Sequence, residues 1–111
     1  MSYQHQAMAN GKWMRMTLAQ QMANIGSEVF RAIKSKSRND DKSAELAFER
    51  ALELFDLSLQ DNKNLKRFVE IARARETFVD FFKYNNQYNQ NEKSVNNYFL
   101  SFNYLARIGT N

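Results

Sequence analysis

Leu18, Met22, Ile25, Val29 and Ile33 follow one another at intervals of three and four residues, the repeat of one face of an α-helix. The interval returns in Ala44, Ala47, Phe48, Ala51, Leu52, Phe55 and Leu59. It returns again, over a broader arc, in Leu65, Phe68, Val69, Ile71, Ala72, Phe78, Val79 and Phe82. Val95, Tyr98, Phe99, Phe102 and Leu105 make a fourth stripe. A half-buried strand would alternate with period two, and a β-domain would spend proline and glycine on its turns. This chain of 111 residues has no proline and only Gly11, Gly26 and Gly109. The expected fold is all-α, an antiparallel up-down four-helix bundle with short loops.

The helix ends are written in polar residues. Thr17 and Gln20 fit a capping box for the first helix, with Trp13 and Met14 able to extend it upstream. Asp40, Asp41 or Ser43 suits the start of the second helix, Asp61, Asn62 or Asn64 the third, and Asn91 or Ser94 the fourth. Gly109 suits the final stop. Residues 1–12 are polar and without periodicity, so they are expected to form a flexible arm ahead of a single domain spanning 13–111. Gly26, on the flank of the first apolar stripe with Ala19, Ala23 and Phe30, costs about 1 kcal/mol of helix propensity relative to alanine. That cost points to a neighbouring helix coming close.

Charge is segregated. Residues 1–38 sum to +5, 39–61 to −5, 62–84 to +3 and 85–111 to +1. In an up-down bundle the starts of helices one and three and the end of helix four share one end of the molecule. That end would gather Lys12, Arg15, Lys63, Lys66, Arg67 and Arg107 beside Trp13, opposed only by Asp61. Such a cluster suits the backbone of RNA or DNA. A run of acids lies along the outer side of the second helix, where it could meet a basic face of another copy. Leu46 and Leu57 point away from the main stripe of that helix and form a candidate interface for self-association or a protein partner.

Catalytic inventory is thin. Cysteine is absent, the single histidine is His5 in the arm, and the glycines form no phosphate-binding loop. No cofactor or metal is expected, and an enzymatic role is disfavoured. One constellation stands apart from the core pattern. At about 100° per residue, Arg75 falls within the apolar arc of the third helix, with Glu76 at its edge. A buried guanidinium needs a carboxylate. Glu28 is the expected cross-helix partner, with Glu76 and Asp80 as alternatives, making a buried polar layer of Glu28, Arg75 and Glu76. The same arginine with Arg31 could instead hold an anion. No apolar run reaches the roughly 18 residues of a membrane span, and "MSYQHQAMANGK" lacks a signal-peptide pattern. A cytoplasmic protein with no membrane partner is expected.

The segments "LAQQMANIGSEVFRAI", "AFERALELFDLSLQD", "RARETFVDFF" and "YFLSF" resemble an uncharacterised family of small bacterial all-helical proteins over roughly residues 12–106. The resemblance implies the helical fold and carries no activity. In shape the chain is also similar to four-helix-bundle accessory proteins of diversity-generating retroelements and to rRNA intervening-sequence proteins. That likeness implies oligomeric association and nucleic-acid machinery. The HEPN ribonucleases and toxins are likewise helical and of similar length and give the alternative reading, a ribonuclease or toxin–antitoxin component with Arg31 and Arg75 at its site; their Arg-to-His signature is missing after both arginines, which would make the chain an inactive relative.

Overall fold

Three of the four α-helices begin where a short polar side chain serves a free backbone N–H. In the computed structural model we describe residues 11–83 and 91–108, with side chains of the last helix as far as Phe102. Among them are four α-helices, α1 (Leu18–Ser37), α2 (Asp41–Gln60), α3 (Phe68–Lys83) and α4 (Glu92–Ile108), and no strand. Two 3-10 turns, Trp13–Arg15 and Asn62–Arg67, precede α1 and α3. The capping box of α1 forms as its sequence requires: Thr17 Oγ1 accepts from Gln20 N–H at 3.1 Å, and Gln20 Oε1 accepts from Thr17 N–H at 2.9 Å. Asn91 and Ser94 make the same reciprocal pair at the start of α4, at 2.8 and 2.9 Å. Asp40 caps α2.

α1 stops in a Schellman motif. Asn39 takes a left-handed conformation with φ 62°. Its N–H donates to Lys36 O at 3.0 Å, and the next N–H, that of Asp40, donates to Ser35 O at 2.9 Å. Asparagine tolerates that backbone better than most residues, so the reversal between α1 and α2 needs no glycine.

The closest helix pairings are α1 with α2, α1 with α4, and α2 with α3. Met22, Ile25, Val29 and Ile33 of α1 enter the core, as do Ala44, Ala47, Phe48, Ala51 and Phe55 of α2. An aromatic run joins α2, α3 and α4. Phe48 stacks on Phe82 with ring centroids 4.6 Å apart, and Phe55 meets Phe99 edge-on at 6.2 Å. Gly26 has the role its position suggested. A Cβ built there would lie 2.7 Å from Phe99 Cβ, so α4 rests against the bare backbone of α1.

Two expectations change. Leu57, placed on the outer face with Leu46, is buried at 4% exposure within the core cluster, while Leu46 stays exposed. Beside Leu57 in the chain, Ser58 takes the bond from Trp13, as the Trp13–Arg15 turn folds back onto the C-terminal end of α2 and adds to the core there. The stripe assigned to the third helix also thins at its start. Leu65 and Val69 are 73% and 67% exposed: Leu65 lies on the Asn62–Arg67 3-10 turn, outside the α-helical register, and Val69 lies in the first turn of α3, which packs along α2 and not against α4. No described helix is long and apolar enough to cross a membrane. His5, Gly109, the Asn/Gln-rich residues 84–90 and most of the proposed arm lie outside the described residues.

Candidate functional site

The basic end is built on a buried polar clasp. Trp13 is fully buried, and its Nε1 donates to Ser58 Oγ at 3.0 Å, tying the N-terminal turn to the end of α2. Gln21 of α1, also fully buried, donates from Nε2 to Trp13 O at 3.0 Å and to Asp61 Oδ2 at 2.9 Å. Its Oε1 accepts from Asn64 Nδ2 at 2.7 Å, and the same Asn64 amide donates to Ser58 O at 3.0 Å. Both donors of each amide are used. Burial of such groups costs little only when they are satisfied in this way.

Lys63 laces the two 3-10 turns together. Its Nζ donates to Met14 O at 2.8 Å and pairs with Asp61, whose Oδ1 also accepts from Lys63 N–H at 3.1 Å. Burial pushes the Asp61 carboxyl up, but hydrogen bonds from Lys63 and Gln21 outweigh it and hold the group below its usual value. A carboxyl whose folded pKa is depressed stabilises the fold above its unfolded value of about 3.9 and loses that contribution as pH falls through the folded one. Wild-type thermal stability should therefore drop below about pH 4. Asp61→Asn should be less stable at neutral pH, and its deficit should shrink across the acid range. A deficit that stays constant between pH 5 and pH 2, by thermal melts, would contradict this role for Asp61.

The clasp sorts the six cations. Lys63 is consumed by Asp61 and Met14, and Arg67 Nη1 reaches both oxygens of Glu70 at 3.0 and 3.2 Å. Lys12, Arg15 and Lys66 are exposed, and no described carboxylate pairs with them. The Arg107 side chain lies outside the described residues. Beside Lys66 and Arg67 the surface also shows Phe68, an exposed aromatic that the pattern had assigned to the core.

The predicted pairing of Glu28 with Arg75 is not made. Glu28, 5% exposed, accepts from Arg50 Nε at 3.0 Å and from Arg31 Nη1 at 3.1 Å. Arg75 Nε instead donates to Asp56 Oδ1 at 3.0 Å, and Glu76 is exposed. α2 is the close neighbour of both α1 and α3, so each of those helices offers its charge to α2. Arg31 and Arg75 thus belong to separate pairs. Part of the acidic side of α2 is answered within the chain, since Glu45 pairs with Lys83 and Asp56 with Arg75. At the opposite end, Lys36 sits 4.5 Å from the Phe82 ring centroid and donates to Phe82 O, so it too is engaged.

Sequence reasoning missed the clasp, although a signal was present. Gln21, Ile25, Glu28 and Ala32 recur at four, three and four, so both buried polar residues of α1 occupy an apolar-stripe register. Among the described residues no group of three or more His, Asp or Glu is placed to hold a metal ion. Comparison with protein-family models, with curated proteins and with solved structures returns no match.

Proposed function

We propose that this protein is a non-enzymatic helical binding module of the bacterial cytoplasm, an antiparallel up-down bundle acting as an accessory factor on RNA or DNA. The observation that carries the reading is the sorting of the basic end. Lys12, Arg15 and Lys66 remain open on two turns that Lys63, Gln21 and Trp13 hold together, with exposed Phe68 alongside. Fixed cations release counterions from a phosphate backbone on binding, and an aromatic face gives an unpaired base somewhere to stack. The contacts at Trp13–Ser58 and Glu45–Lys83 support the up-down path.

Fluorescence polarisation with labelled single-stranded RNA and duplex DNA, over a salt series, tests the reading. Binding should weaken steeply with salt. The triple variant Lys12→Ala/Arg15→Ala/Lys66→Ala should bind at least about tenfold more weakly at low salt, with the log–log salt slope reduced by about 2–3. All three side chains are exposed, so the variant should keep the wild-type circular dichroism. Absence of wild-type binding at low salt would end the nucleic-acid reading.

A further inference from the structure

α3 and α4 do not close on one another, because α3 packs along α2 and α4 along α1. The seam between them is a groove of about 370 Å³. Its floor is made of core side chains, Phe78, Val95 and Phe99, while Val69 and Tyr98 stand exposed on its rim. Two charged residues line it, Glu70 and Arg73. Glu70 is already held through both oxygens by Arg67. Arg73 is exposed and pairs with no described carboxylate. Arg73 is therefore the cation left open to an incoming anion, with the Arg67-paired Glu70 carboxylate at the edge of the groove. Burial, with the Glu70 charge nearby, pushes the Tyr98 phenol up, so its hydroxyl keeps its proton and remains a donor.

We propose that this groove binds a small amphipathic carboxylate, its apolar body on Phe78, Val95 and Phe99 and its carboxylate against Arg73. Ligand pockets of a few hundred Å³ with an apolar floor and few polar groups are the usual small-molecule pattern. The carboxylate chemistry has two sources, a medium-chain fatty acid or an arylalkanoic acid, and the ligand's body distinguishes them. The inference stands apart from the nucleic-acid reading, since it uses none of Lys12, Arg15 or Lys66.

The test is an amide-resolved NMR titration of the full-length, nitrogen-15-labelled protein with decanoate, 3-phenylpropionate and the uncharged control 1-decanol. At least one acid should shift amides within residues 69–78 and 95–99, and whichever acid binds more tightly identifies an acyl or an aryl body. Decanol should bind about tenfold more weakly than decanoate if decanoate is the tighter acid. Arg73→Ala should weaken the tighter acid by about tenfold while leaving decanol unchanged, and Arg73→Lys should recover part of the loss. Equal binding of acid and alcohol, indifference to Arg73→Ala, or shifts confined to other helices would overturn the proposal. So would silence from both acids at millimolar concentration.

Discussion

Trp13→Ala should lower the free energy of unfolding by about 3–5 kcal/mol, the range for removing a fully buried large aromatic side chain. The residue lies ahead of α1 in the chain, where truncation would ordinarily be harmless. Here it has no exposed surface, and its indole N–H is bonded to the equally buried Ser58 hydroxyl. The substitution would open a cavity beneath the Trp13–Arg15 turn and strip Ser58 of that donor. Trp13→Phe keeps a buried aromatic ring while losing the N–H together with part of the indole, and should cost less, about 1–3 kcal/mol. Urea unfolding followed by far-ultraviolet circular dichroism measures all three proteins on one scale. Trp13 is the only tryptophan, so wild-type fluorescence reports the clasp alone. Its transition should coincide with the loss of helix. A cost below about 1 kcal/mol for Trp13→Ala would mean that the N-terminal turn is not part of the cooperative core.

Gly26→Ala should destabilise the fold by about 1–3 kcal/mol, the usual cost of overpacking, even though alanine improves helix propensity by about 1 kcal/mol. The added methyl would sit 2.7 Å from Phe99 Cβ. Phe99 cannot swing that atom away by changing rotamer, so α1 and α4 would have to part. Gly26→Val adds a second obstruction and should cost more. The order Gly above Ala above Val in unfolding midpoint is the expected result. A stabilised Gly26→Ala protein would show that propensity dominates and that the helices are not in close contact.

The two substitutions also mark how far local reasoning reaches. Gly26 is legible as a close-approach site, because glycine inside an apolar helical repeat sacrifices propensity and commonly does so for packing. Its partner Phe99 is not legible, since periodicity names a face without naming the helix that meets it. The same gap accounts for Glu28 and Arg75. Each is recognisable as a charge on a buried face, but each turns to α2, to Arg50 and Asp56. Leu57 is misplaced for a related reason. A wheel drawn for one helix cannot include a turn that arrives from elsewhere in the chain, and the Trp13–Arg15 turn adds to the core at the C-terminal end of α2.

The candidate site divides in the same way. Its residue types and its position at one end are readable from charge segregation. Which cations remain open is not readable, because that depends on distances between turns far apart in sequence, as between Lys63 and Met14. The groove beside Arg73 leaves no trace in the pattern at all, since it is a gap between two helices rather than a property of either.

The helices of this protein, their caps and most of the faces they bury are set locally. They follow from interactions within a few residues of each other: the 3.6-residue repeat, side chains bonding to adjacent backbone, and the absence of proline. Which charges neutralise one another, which cations stay open, and where α3 and α4 leave their seam are settled only when the helices pack. Each of these rests on the spacing between helices, and that spacing is set by the whole core at once, by Trp13 filling one end and by a missing side chain at Gly26 drawing α4 onto α1.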